Sequence, residues 1–97
     1  MRVLLHAPTA RALARARSNL RNLTARNEDA EVLIVANAEG VVAALAERDG
    51  ETDSALRLCE NTLAARGLEA PEGLATVPAA VETIARLQTE GWIYIRA

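Results

Sequence analysis

The sequence predicts an α/β fold: a three-layer domain whose mostly parallel five-stranded sheet carries helices on both faces. Three observations predict it. Short apolar runs without polar alternation, Val3–His6 and the centre of Glu31–Ala36, mark strands covered on both sides. Between such runs lie segments with apolar residues at helical spacing, so five strands alternate with four helices, the order of βαβ units. Right-handed crossovers then distribute the helices over both faces. The length, 97 residues, fits a single domain spanning 1–97.

Each element has a local cause. Val3 to His6 is the first strand. Ala7-Pro8-Thr9 turns, with Thr9 as helix cap. Ala10 to Arg26 is a helix with Leu13, Ala16, Leu20 and Leu23 on one arc and Arg17 and Arg21 on its flank. Glu31 to Ala36 is the second strand. Asn37-Ala38-Glu39-Gly40 turns into a helix carrying Val41, Val42 and Leu45, and Arg48 to Asp53 reads as polar linker. Leu56 and Leu58 end a short third strand. Asn61 to Arg66 form a short helix stopped by Gly67, a residue suited to the left-handed conformation. Leu74 to Val77 is the fourth strand, closed by Pro78. Ala79 to Glu90 is the last helix, ended by Gly91, and Trp92 to Ile95 the last strand.

Composition narrows the functional classes. With no Phe, one Trp and one Tyr, the core is built from Leu, Val, Ile and Ala, and no aromatic platform exists for single-stranded nucleic acid. A single Cys and a single His exclude an internal disulfide and make a zinc site within one chain implausible. The apolar start is too short for a signal peptide or membrane span, so the expectation is a cytoplasmic protein with a reduced thiol and no membrane partner. Residues 1–26 carry +6 and residues 27–97 carry −8. The two signs are expected to pair within the fold or between subunits, for instance the first helix with acids at 47–53 of a neighbour, rather than to bind nucleic acid. Neither a dinucleotide fingerprint nor a phosphate loop is present, which disfavours a nucleotide-binding flavodoxin-like domain. No cofactor is implied.

Chemistry points to Cys59. It falls where a strand meets the N-terminal end of a helix, where free N–H groups and the helix dipole favour a thiolate. Adjacent Glu60 opposes that, and a small buried hydrophobe is the competing reading. In parallel sheets the functional crevice lies beyond the carboxyl ends of the strands. The residues leaving those ends include His6, Pro8, Thr9, Asn37, Cys59, Asn61 and Pro78. Asn61 and Asn37 are candidates for binding an anion or the sulfur, or for capping and turn roles. His6 is a candidate base for the thiol or a structural histidine. Gln88 falls in the apolar arc Ala80, Val81, Ile84, Ala85 and Leu87, so its amide is expected to bond a neighbouring loop or a partner subunit.

Three stretches resemble the DsrE/DsrF-like family of small intracellular sulfur-relay proteins. These are Val3-Leu4-Leu5-His6-Ala7-Pro8-Thr9, Leu58-Cys59-Glu60-Asn61-Thr62-Leu63 with Arg66-Gly67-Leu68, and Val77-Pro78-Ala79 leading to Arg86-Leu87-Gln88-Thr89-Glu90-Gly91-Trp92-Ile93-Tyr94-Ile95. The resemblance implies a flavodoxin-related parallel sheet, assembly into homotrimers or hexamers, and a Cys59 that accepts sulfur as a persulfide from one thiol protein and passes it to another. The chain departs from the family's pattern at Ala80, where a Gly is frequent, and in a short segment before the third strand. The alternative is an assembly or small-ligand-binding module in which Cys59 only packs.

Overall fold

All strand pairs in the sheet are parallel, and the order across it is β4-β3-β2-β1-β5, with β1 at Arg2–Ala7, β2 at Glu31–Ala36, β3 at Leu56–Cys59, β4 at Ala75–Val77 and β5 at Ile93–Arg96. The computed structural model describes residues 1–97. The four helices are α1 (Ala10–Arg26), α2 (Glu39–Ala46), α3 (Glu60–Ala65) and α4 (Ala80–Thr89), and a single 3-10 turn, Asp53–Ala55, leads into β3. The strand–helix order matches the sequence reading, with bounds displaced by one residue in several elements.

The helices divide between the two faces. α1 packs on α2, and Arg66 at the end of α3 reaches Glu39 at the start of α2, so these three share one face. α4 lies on the other: Ile84 and Gln88 neighbour His6 and Tyr94, whereas α1 neighbours Leu5 and Ile95, and alternate strand residues point to opposite faces. Three successive crossovers step one way across the sheet, and the fourth returns over its whole width from β4 to β5.

The core is aliphatic. Val3, Leu4 and Leu5 of β1, Ile34 and Val35 of β2, and Leu56 and Leu58 of β3 are all closed to solvent. Small residues let the helices approach: Ala12 and Ala16 of α1, Ala44 of α2 and Ala80 of α4 are buried. The closest approach is at Gly40, where a Cβ would stand 1.9 Å from the Ala7 carbonyl oxygen. β5 is an edge strand and stays uncovered, with Ile93, Tyr94 and Ile95 exposed.

Two sequence expectations change, and the charge pairing takes the first of its two expected forms, within the fold. The segment Arg48–Asp53 is a structured loop rather than a loose linker. Arg17, on the flank of α1, is buried; it donates to Thr52 Oγ1 at 2.7 Å and Asp53 Oδ1 at 2.9 Å, and Arg48 holds the other Asp53 oxygen at 2.7 Å. Arg21 pairs with Asp49 and Glu51. The acids at 49–53 thus pair with α1 of their own chain, because the short α2 brings the loop back beside α1. Last, α4 is rotated relative to the expected arc: it buries Ala80, Thr83 and Leu87, while Val81 and Gln88 are exposed.

Candidate functional site

Cys59 is the last residue of β3 and the N-cap of α3, which begins at Glu60, one residue earlier than the spacing suggested. α3 ends as expected: Gly67 has φ +62°, and the Leu68 and Gly67 N–H groups turn back to the Leu63 and Ala64 carbonyls. Cys59 pairs in register with Val77, the last residue of β4. The helix after β3 lies on one face and the helix after β4 on the other, so Cys59 stands at the topological switch point of the sheet, where such sheets open a crevice. The N-termini of α3 and α4 meet there.

The sulfur is held by a donor from α4. Sγ accepts the Ala80 N–H at 3.4 Å. The first turn of α3, through the Asn61 and Thr62 N–H groups and the Thr62 hydroxyl, favours the charged sulfur without a hydrogen bond to it. Thr62 Oγ1 accepts the Ala38 N–H at 3.1 Å. Burial alone pushes the thiol up; the Ala80, Thr62 and Asn61 donors outweigh it and hold the thiol below its ordinary value. Access is the opposing fact. Cys59 is 5% exposed and belongs to the hydrophobic core, as the reading of a small buried hydrophobe requires, so the sulfur is closed over in this conformation.

Ala38 brings strain to the neighbouring turn. Its φ of 49° and ψ of −131° are those of the first central residue of a type II′ turn, a glycine position, closed by the Gly40 N–H on the Asn37 carbonyl at 2.9 Å. A second polar irregularity lies in α4. Thr83 is 3% exposed and its Oγ1 has no hydrogen-bond partner, which costs about 1–3 kcal/mol.

Register also arranges a row on the α4 face. Ala36 pairs with Leu58, so Asn37 and Cys59 follow at the same level on adjacent strands; His6 pairs with Val35, on the same face as Asn37. His6 Nε2 lies 3.0 Å from Asn37 Oδ1 and Nδ1 lies 2.8 Å from the Tyr94 hydroxyl. With the Asn37 oxygen facing the ring, Nε2–H donates and Nδ1 accepts from Tyr94. Both ring nitrogens are thereby engaged, by Asn37 and Tyr94 rather than by the Cys59 sulfur. A cavity of about 350 Å³ opens over this group, lined by His6, Asn37, Val81, Ile84, Gln88 and Tyr94.

The remaining candidates divide. Thr9 caps α1, accepting the Ala12 N–H at 3.0 Å, and Pro8 sits in the turn before it. Pro78 is exposed at the end of β4, where it directs the chain into α4 and the Ala80 donor. Asn61 acts through its backbone; its side chain is exposed and makes no hydrogen bond within the chain. Gln88 lines the cavity and bonds no group of its own chain, unlike the buried amide expected. Sequence reasoning missed Thr62, Thr83 and Tyr94. The roles of all three depend on neighbours distant in sequence, for Thr62 the Ala38 N–H. No three His, Cys, Asp or Glu side chains converge as a metal site, and no helix is long and apolar enough to cross a membrane.

Fold and site together define a parallel α/β domain with a donor-held cysteine at its switch point. The chain is similar to the solved structure of a protein of unknown function, MTH1491, from Methanobacterium thermoautotrophicum: 33% identity over 99% of this chain and 98% of that one, with a TM-score of 0.82. It belongs to the same family as that protein. No family model matches the chain, and no curated protein matches it.

Proposed function

We propose that the protein is a cytoplasmic sulfur carrier in which Cys59 holds sulfur as a persulfide. The observation that carries this reading is the Ala80 N–H on Sγ at 3.4 Å, which together with the polar first turn of α3 keeps the thiol below its ordinary value despite burial. A cysteine that only fills space has no use for such donors. The resemblance to DsrE/DsrF-like proteins supports the same chemistry. In the loading step the Cys59 thiolate attacks the outer sulfur of a donor persulfide; the new bond joins Sγ to that sulfur, and the donor leaves as a thiolate. An acceptor thiolate reverses the exchange and returns Cys59 to its starting state. Loading requires the segment over Cys59, Pro78-Ala79-Ala80, to give way. Assembly into a homotrimer or hexamer, with thiol proteins as donor and acceptor, belongs to this proposal. Intact mass after exposure to a sulfane donor tests it: the protein gains one sulfur atom, and Cys59→Ser gains none. An unchanged mass overturns the reading.

A second reading, an assembly module with an inert cysteine, draws on the 5% exposure of Cys59 and the uncovered apolar residues of β5. It requires that thiol reagents modify Cys59 only on unfolding and that Ile95→Lys changes the sedimentation of the protein.

A further inference from the structure

Resting on the carrier reading, we propose that the Thr83 hydroxyl is the receptor for the added sulfur atom, donating a hydrogen bond to the outer sulfur of the Cys59 persulfide. Thr83 is buried to 97% yet its Oγ1 has no partner. Helical threonines ordinarily turn their hydroxyl onto a carbonyl three or four residues back. Two of the three other helical threonines do this here, Thr24 donating to the Leu20 carbonyl at 2.9 Å and Thr89 to the Arg86 carbonyl at 2.6 Å, while Thr62 meets the Ala38 N–H. Thr83 does not take the Ala79 carbonyl in this way.

Its position tells what the hydroxyl serves. Thr83 shares the sheet-facing stripe of α4 with Ala80, one turn away, and the Ala80 N–H is the donor on Sγ. Helical Cα–Cβ bonds tilt toward the N-terminus, so the Thr83 side chain leans back over the turn that touches Cys59. The bare thiol does not reach the hydroxyl. A sulfur added to Sγ stands about 2 Å further out, beneath the helix that carries Thr83. An anionic persulfide there needs a donor, and the Thr83 hydroxyl is the fully buried one without a partner. Thr83 is thus a positioning residue for the loaded state and idle in the unloaded one.

The test loads wild type, Thr83→Val and Thr83→Ser with inorganic polysulfide and then chases with dithiothreitol. The reductant's thiolate takes the outer sulfur, Cys59 returns as thiolate, and closure of the reductant to its cyclic disulfide releases hydrogen sulfide, which is measured. Thr83→Val keeps the shape and removes the hydroxyl; it is expected to lose its sulfur about two- to tenfold faster than wild type. Thr83→Ser is expected to restore wild-type release. The thermal midpoint of the unloaded Thr83→Val protein should equal or exceed that of wild type, since an unpaired buried hydroxyl has been removed; a merely structural threonine would lower it. If wild type takes up sulfur and all three release it alike, the Thr83 assignment is overturned and the carrier reading stands. If wild type takes up none, both fall.

Discussion

Thr62→Val isolates one polar group beside the sulfur and tests whether the thiolate is held by geometry. Valine keeps the shape of threonine and the χ1 stiffness of a β-branched side chain. It removes the hydroxyl that accepts the Ala38 N–H and helps to hold the Cys59 thiol below its ordinary value. A hydrogen bond to a charged group contributes about 1.5–3 kcal/mol, and sulfur, a weak acceptor, belongs at the low end. Losing about 1.4 kcal/mol lowers the thiolate population roughly tenfold at neutral pH. Nucleophilicity recovers part of this, because a more basic thiolate attacks faster with a Brønsted coefficient of about 0.4–0.5. The net expectation is a reaction with an aromatic disulfide about three- to fourfold slower at neutral pH, with the midpoint of the pH–rate profile moved upward. Thr62→Ser should behave as wild type, and all variants should react alike once unfolded. A Thr62→Val midpoint at or below that of wild type would refute the account of the site, because the hydroxyl would then contribute nothing to the charge on sulfur.

Other outcomes follow from the same coordinates. Ala38→Gly relieves a left-handed backbone at a glycine position and should raise stability by about 1 kcal/mol, read from chemical denaturation. Gly40→Ala sets a Cβ 1.9 Å from the Ala7 carbonyl oxygen, so β1 and α2 must separate; the loss should exceed about 3 kcal/mol, seen as a collapsed thermal midpoint or insoluble protein. Arg17→Met leaves Asp53 and Thr52 without their buried partner and should cost about 3 kcal/mol, moderated by the hydrogen bonds Asp53 keeps from Arg48 and the Asp49 N–H. Burial pushes the Asp53 carboxyl up, but Arg48, Arg17 and the Asp49 N–H prevail and hold it below its ordinary value of 3.8. Its stabilisation is therefore fully present above that value and lost as pH falls through the lowered one, so Asp53→Asn should flatten the acid limb of the stability curve.

The order of strands and helices, the thiol at a strand-to-helix junction, the Thr9 cap and the Gly67 stop were all legible in the sequence. Each rests on residues within one or two helical turns of each other, and periodicity and cap chemistry act over that range. The rotation of α4 was not legible. Its small residues support two overlapping arcs, one through Val81 and Gln88 and one through Ala80, Thr83 and Leu87. The uncovered edge at β5 decides between them, because Val81 and Gln88 then lie over a strand that offers no second layer. The burial of Arg17 was hidden for a related reason: its partners Thr52 and Asp53 arrive from a loop that reads as solvated linker.

The linear pattern alone determined that Cys59 would leave a buried strand and start a helix. Only the tertiary arrangement decided what surrounds the sulfur. Strand order places β4 beside β3 and sends the two following helices to opposite faces, which brings the Ala80 N–H to Sγ from 21 residues away and leaves Thr83 unpaired one turn beyond. Local propensity cannot encode that meeting, because it is fixed by which strands pair and in what register, a property of the closed sheet as a whole.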